Sequence, residues 1–426
     1  MNETFSAHIL DNGLIVLLQE NHSVPLISHR IWYRVGSRNE VPGKTGISHF
    51  VEHMLFRGTE RFPGQEALHA INRCGGSWNA VTSLDWTSFF ATIPSNRIGI
   101  LRDIEADRMV NSLFTPEDIC CERKVILSEK ERNAGGYASR LTASMKKAAF
   151  PHHPYRRELI GETEDLLSLT RDDIYEYYRT WYTPNNAVIT MAGDFDTDEI
   201  LRSIEAAYGD IPCRSLPDLE IAPAGPITGP VRIEDHGSCG QLYMTMTWRV
   251  PGANDPDIPG LLLLAGILVG PTAECCYDEK TATSRTSRLF RKLVRGGMTT
   301  GLSAEYTPTL DPYIFNLCMT LSPGILPEAV SEAVFSELED IAQRGVPPAE
   351  INKAIRKEQN ILACFAEDIS CQTYFRGYSS MIADPSWHSR CMEQMENITP
   401  EDISRTAGTL FRRDNCIISV YRKEEE

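Results

Sequence analysis

The segment TRDDIYEYYRTWYTPNNAVITMAGD at residues 170–194 is repeated, without a gap, as TPEDISRTAGTLFRRDNCIISVYRK at residues 399–423. Each copy opens with a threonine and an acidic first turn, the pattern that caps the start of a helix. Each then passes through an aromatic residue, Tyr182 or Phe411, and an asparagine into a β-branched run typical of a strand. A repeat on this scale predicts an α+β protein made of two homologous domains related by internal duplication.

The length of 426 residues exceeds what one hydrophobic core usually supports. A proline- and glycine-rich stretch near residues 211–230 separates the two copies and has the composition of a domain boundary. We therefore predict a first domain at residues 1–213, a linker at 214–230 and a second domain at 231–426.

The composition indicates a folded protein, with 42% hydrophobic and 23% charged residues. The net charge of −16 argues against nucleic-acid binding, which needs clustered lysine and arginine. No signal peptide and no apolar run long enough to span a bilayer is readable. The twelve cysteines include the neighbours Cys120/Cys121 and Cys275/Cys276 but no zinc-finger spacing, so we expect reduced thiols and a cytoplasmic location.

The segment GISHFVEHML at residues 46–55 places polar residues of metal chemistry inside an otherwise apolar run. On a helix, His49, Glu52 and His53 share one face, because each residue advances about 100°. Two imidazoles one turn apart can bind zinc, and the neighbouring carboxylate can act as a base. The alternative is an amphipathic helix whose polar edge happens to carry these residues.

The duplication favours the chemical interpretation. Extending the match between the copies aligns LLLLAGILVG at residues 261–270 with residues 46–55. The second copy therefore fills the same helix with apolar side chains, and we expect one active centre per chain.

A third metal ligand is expected from the segment PEDICCERKVILSEKERN at residues 116–133. On a helix, Glu122 and Glu129 lie two turns apart on nearly the same face, so both could point at one metal. A solvated acidic stripe would give the same pattern.

With Glu129 added, the sequence resembles the pitrilysin-type zinc peptidases, the inverzincins, which include insulin-degrading enzyme and the mitochondrial processing peptidases. The segments HMLFRGTERFP, GGSWNAVTSLDWTSFFATIP, CERKVILSEKER, HHPYRRELIGETEDLLSLTRDDI and YYRTWYTPNNAVITMAGDF follow the order and spacing of that family. The length is similar to its small two-domain branch, which implies two α/β-sandwich domains of the processing-peptidase type and a zinc endopeptidase.

The resemblance implies a role for each matching residue. His49, His53 and Glu129 would bind one Zn²⁺ per chain, Glu52 would be the general base, and Glu122 would orient a ligand. In relatives, the pair that matches Asn79 and Ala80 lies on an edge strand to which the peptide substrate adds. His152 and His153 are expected to be structural, because the ligand set is already complete.

The resemblance also implies a partner, because active relatives carry an arginine and a tyrosine in the second domain that support the substrate and the oxyanion. In the matching segment SRLFRKLVRGGMTTGLSAEYTPTLD (287–311), the tyrosine position falls at Thr300 and the arginine position near Val294. Arg295 is one residue displaced, and Tyr306 belongs to the following strand. We therefore predict the metal-bearing subunit of a heterodimer, with a homodimer as the runner-up. The alternative function is a non-catalytic structural subunit of a larger complex.

Overall fold

The computed structural model describes residues 5–134, 136–225, 227, 231–237, 240–270 and 284–423. Cys275, Cys276 and part of the predicted linker lie outside these residues.

The described residues form eleven strands and fourteen α-helices. The strands are β1 (Ser6–Ile9), β2 (Ile15–Glu20), β3 (Leu26–Tyr33), β4 (Ser77–Thr82), β5 (Thr87–Pro94), β6 (Ala187–Gly193), β7 (Val231–Gly237), β8 (Tyr243–Val250), β9 (Thr299–Tyr306), β10 (Tyr313–Leu321) and β11 (Cys416–Lys423). The helices are α1 (Ile47–Met54), α2 (Glu66–Arg73), α3 (Ile98–Asn111), α4 (Pro116–Ala134), α5 (Tyr137–Ala149), α6 (Thr163–Ser168), α7 (Arg171–Trp181), α8 (Thr197–Tyr208), α9 (Ile258–Leu268), α10 (Pro327–Arg344), α11 (Pro348–Ala366), α12 (Ile369–Ile382), α13 (Trp387–Met395) and α14 (Pro400–Leu410).

The chain divides into two compact units. The first unit comprises Met1–Arg132, Arg157–Ile221 and Ala366–Pro385. Its six-stranded sheet has the order β1-β2-β6-β3-β5-β4, so β4 lies at one edge. One face of the sheet packs on helices α1, α3, α4, α7 and α8, and the apolar side chains between these layers form the main core of the unit.

The second unit comprises Asn133–Arg156, Ala222–Phe365 and Ser386–Glu426. Its five-stranded sheet has the order β7-β11-β8-β10-β9. Helix α5 packs on β7, β8 and β11, while α9 packs against α13 and α14.

The two units repeat the same local structures, which confirms the predicted α+β fold with an internal duplication. Helices α7 and α14 each begin with a capping box, formed by Thr170 with Asp173 and by Thr399 with Asp402. Each helix leads through a single 3₁₀ turn into a strand, β6 or β11, that has a neighbouring strand on both sides. Helix α9 follows β8 as α1 follows β3, and it is almost entirely buried and apolar.

Each unit includes a helix from a distant part of the chain. Helix α12, from the C-terminal half of the sequence, packs on β3 and β6 of the first unit. Helix α5, from the N-terminal half, packs on the sheet of the second unit. The domain boundaries deduced from the sequence stay a prediction, and that prediction did not include this exchange of helices.

Among the residues that the structure describes, no helix combines the length and the apolar character needed to cross a membrane.

Candidate metal centre

Helix α1 carries the two histidines, and its start is fixed by backbone geometry. Gly46, the residue before the helix, has φ +82°, and a Cβ atom there would lie 2.4 Å from the carbonyl oxygen of Ile160. Only glycine meets both requirements without strain. The helix can therefore begin directly after the close approach of these two segments.

A buried carboxylate binds the first turn of α1. Glu40 accepts hydrogen bonds from the backbone N–H groups of Gly46 at 2.9 Å and Ser48 at 3.1 Å. These groups have no partner inside the helix, so an acceptor at this position stabilises the helix start. Burial raises the pKa of Glu40 to about 7, although these two hydrogen bonds act in the opposite direction.

Helix α4, which extends over the predicted range, carries the two predicted carboxylates. Lys130, the residue after Glu129, donates to the carbonyl oxygen of Gly161 and lies 3.3 Å from Glu158. The loop containing Ile160 and Gly161 thus contacts the start of α1 and also binds α4. This loop helps to fix the distance between the two helices.

The structure brings His49, His53 and Glu129 together. Glu129 Oε2 lies 3.9 Å from His49 Nε2 and 3.7 Å from His53 Nε2, and the possible ligand atoms all lie within 4.8 Å of one another. Tetrahedral zinc places its ligand atoms about 3.3–3.4 Å apart. Two imidazole nitrogens and one carboxylate oxygen are also a donor set that zinc prefers, so these residues fit the ion. Within the described ranges, no other such group of His, Cys, Asp or Glu was found.

Glu122 lies behind the cluster and contacts the other side of a histidine. Its Oε2 is 2.8 Å from His53 Nδ1, and its Oε1 pairs with Arg57. When Nδ1–H donates to the carboxylate, the lone pair of Nε2 is left for a metal. Glu122 therefore lies where a carboxylate could orient His53, and its role stays a prediction.

Burial favours the neutral form of both histidines. Burial lowers the pKa of His49 to about 3, with His53 as a second cause, and burial also lowers the pKa of His53. A neutral imidazole is the metal-binding form, so the pair is ready to bind a cation at neutral pH. His49 Nδ1 is buried and has no hydrogen-bond partner among the described residues.

Glu52 lies on α1 beside the two histidines and is 9% exposed. Thr82, at the end of edge strand β4, donates its hydroxyl to Glu52 Oε2 at 2.5 Å. Burial raises the pKa of Glu52, and the hydrogen bond from Thr82 partly offsets this rise. A raised pKa brings a carboxylate closer to the range in which it can both take up and release a proton.

The predicted substrate residues lie on the predicted kind of strand. Asn79 and Ala80 belong to β4, which pairs with β5 on one side and forms an edge of the sheet. Asn79 is exposed and Ala80 is buried. His153 is buried in the second unit, where Tyr155 N–H donates to its Nδ1 and its Nε2 contacts Asp311. These contacts give His153 a structural role.

Sequence reasoning did not identify three residues that contact the centre or its helices. Arg57 had a local signal, since it lies only four residues after His53, just beyond the end of α1. Thr82 had a weaker one, because it lies two residues after Ala80 and so on the same face of a strand. Glu40 had no clear signal, because only the folded loop brings its carboxylate to the start of α1.

Comparison with known proteins places this centre in a family. Residues 15–163 match the family described as "Insulinase (Peptidase family M16)", and residues 168–358 match "Peptidase M16 inactive domain". The chain belongs to the M16 peptidase family. The two matched ranges together span most of the chain, and the resemblance deduced from the motifs is confirmed.

Several members of the M16 family align with the chain. A protein of Streptomyces coelicolor named as an uncharacterized zinc protease is 25% identical over 95% of this chain and 86% of its own length. A Bacillus subtilis protein with the same description is 30% identical over 46% of this chain, and a probable mitochondrial-processing peptidase subunit beta of Arabidopsis thaliana is 32% identical over 47%. These alignments span 48% and 38% of the two relatives.

Solved structures share the fold at lower sequence identity. A protease from Helicobacter pylori has a TM-score of 0.90 with 21% identity, over 98% of this chain and 99% of its own. An M16-like peptidase from Alicyclobacillus acidocaldarius has a TM-score of 0.87 with 21% identity, over 100% of this chain and 99% of its own. The M16 fold therefore extends over the whole chain.

Proposed function

We propose that this chain is a zinc-dependent endopeptidase that hydrolyses peptides or short unfolded segments. The convergence of His49, His53 and Glu129, with Glu52 beside them, carries this proposal. Three protein ligands leave a fourth zinc position open, as a catalytic site requires. Relatives named as zinc proteases support the choice of metal.

Each residue has a distinct role in the proposed mechanism. His49, His53 and Glu129 would hold a zinc ion, which would supply a Lewis acid for the scissile carbonyl and the attacking water. Glu52 takes the proton of that water and passes it to the leaving amine. Glu122 holds His53 in the tautomer that leaves Nε2 for the metal.

The edge strand accounts for peptide binding without strict sequence preference. A substrate that adds to β4 beside Asn79 and Ala80 is held mainly through main-chain hydrogen bonds. Such bonds need an extended segment, so peptides and unfolded segments fit better than folded proteins.

We infer a cytoplasmic compartment from the cysteines. Each of the nine cysteines within the described part of the chain is free, and the neighbours Cys120 and Cys121 are both exposed. Exposed thiols are most common in proteins of reducing compartments.

Zinc analysis tests the proposed activity. Purified protein should hold about one zinc ion per chain, lose it to a chelator, and lose peptide hydrolysis with it. Zinc added back should restore both. Full hydrolysis in a verified metal-free preparation would contradict the proposal, and zinc-bearing protein that cleaves nothing in a mixed peptide library would favour the structural-subunit alternative.

The chain is further proposed to be the metal-bearing subunit of a heterodimer. Thr300 is exposed on β9, and its hydroxyl is much shorter than the phenol expected from relatives. Tyr306 is 4% exposed and pairs with Phe315 in the sheet, so it does not replace that tyrosine. A similar chain without the metal motif would supply the arginine and the tyrosine.

We expect the isolated chain to turn over peptides at least about tenfold more slowly than the complex with its partner, because oxyanion support commonly contributes several kcal/mol. Native mass measurement identifies the complex, and kinetics on the chain alone and with the added partner measure the effect. A fully active homodimer would overturn the heterodimer.

A further inference from the structure

The hydroxyl of Thr82 connects edge strand β4 with the carboxylate of Glu52. The Thr82 Oγ1 to Glu52 Oε2 distance is 2.5 Å, and the two residues are 8% and 9% exposed. A hydrogen bond to a carboxylate is stronger than one between neutral groups, and burial strengthens it further. Thr82 is therefore a substantial determinant of where the Glu52 carboxylate lies.

The contact between Thr82 and Glu52 also links the proposed base to the substrate-binding strand β4. Side chains alternate along β4, so the buried Ala80 and Thr82 share one face while Asn79 lies on the other. The strand proposed to pair with the substrate thus also holds the proposed base. A peptide paired with β4 would have its backbone in a fixed register relative to Glu52, because both contact the same short strand.

We propose that Thr82 is a positioning residue that orients Glu52 and links its position to the substrate-binding strand. This rests on the proposed peptidase function. The hydroxyl occupies Oε2 and fixes the carboxylate plane, so that Oε1 is presented to the attacking water in one direction. Orientation of this kind affects the chemical step more than substrate binding.

The test compares Thr82→Val with Thr82→Ser in the full chain together with any subunit that co-purifies. Valine keeps the β-branched shape and removes the hydroxyl, whereas serine keeps the hydroxyl. Kinetics on the best-cleaved member of a quenched fluorogenic peptide library give kcat and KM, and competition with a chromogenic chelator gives the zinc affinity. Thr82→Val should lower kcat by about tenfold to a hundredfold, with KM changed by less than about threefold.

The positioning role of Thr82 predicts three further results. Thr82→Ser should stay close to wild type in kcat, both variants should keep wild-type zinc affinity, and Thr82→Val should have no further effect on kcat in a Glu52→Gln background. Wild-type kcat in Thr82→Val would overturn this inference and leave the peptidase assignment intact. If the valine and serine variants lost kcat equally and both bound zinc more weakly, the inference would also be overturned, because that result indicates a structural role for Thr82. A wild-type protein without zinc-dependent hydrolysis would overturn both the inference and the proposed function.

Discussion

Glu52→Gln is expected to lower the turnover of peptide substrates by roughly 10²–10⁴ while the zinc content stays at the wild-type level. Glutamine has nearly the same volume as glutamate, and its amide oxygen can still accept the hydrogen bond from Thr82. The buried site should therefore keep its packing. The amide has no basicity, however, and can neither take a proton from water nor return it to the leaving amine. Single-turnover kinetics and zinc analysis on the same preparation measure the two properties.

His49→Ala is the matched control, because it removes a metal donor and leaves the base in place. This variant should lose zinc, and its hydrolysis should disappear with the metal. The two variants thus separate metal binding from proton transfer. Wild-type turnover in Glu52→Gln would show that Glu52 is not the base, and full zinc content in His49→Ala would show that His49 is not a ligand.

A fragment of residues 1–213 is expected not to form a stable fold, although it contains every proposed site residue. It lacks α12, which covers the face of β3 that carries Arg30 and Trp32. Trp32 is fully buried, its ring lies 5.7 Å from that of Tyr374, and a Cβ atom on Gly377 would collide with its indole. Removal of α12 would expose this large aromatic surface.

The same fragment contains α5 but not the sheet on which α5 packs. Leu141, Met145 and Ala149 of this helix are at most 2% exposed in the folded chain. The fragment would therefore also expose the apolar face of α5.

A chimera provides the control. It joins residues 1–132, 157–221 and 366–385 by flexible linkers, so it contains the complete first unit and omits α5. Circular dichroism, size-exclusion chromatography and zinc binding should find the chimera folded and the fragment aggregated. A monomeric 1–213 fragment with cooperative melting would contradict the importance of the exchanged helix.

The approach of His49 and His53 to a carboxylate of α4 was predictable, because these residues follow helical periodicity. His49 and His53 are one turn apart on α1, and Glu122 and Glu129 are two turns apart on α4. Periodicity did not distinguish the two carboxylates, since both lie on one face. Only the packing of α4 beside α1 places Glu129 near both Nε2 atoms and Glu122 at Nδ1 of His53. Their distinct roles came from the resemblance to known peptidases.

The duplication was also predictable, because the repeated helix and strand keep their capping residues and their β-branched run. The exchange of α5 and α12 was not, since a helix sequence records which of its faces is buried but not which sheet buries it. Contacts such as Ser28 with Thr373, which bring residues from opposite ends of the chain together, have no local signal. Thr82 was missed for a similar reason, because its partner Glu52 lies on another element.

Helix α12 also determines when the first unit can be completed during synthesis. The ribosome releases the chain from its N-terminus, and all the proposed site residues, up to Glu129, emerge long before Ile369–Ile382. A nascent chain therefore carries all the proposed metal ligands while one face of the sheet beside them is still uncovered. The first unit becomes complete only when most of the second has also been translated. The first sheet is therefore covered on both faces only after residues 369–382 have left the ribosome, well after every proposed site residue.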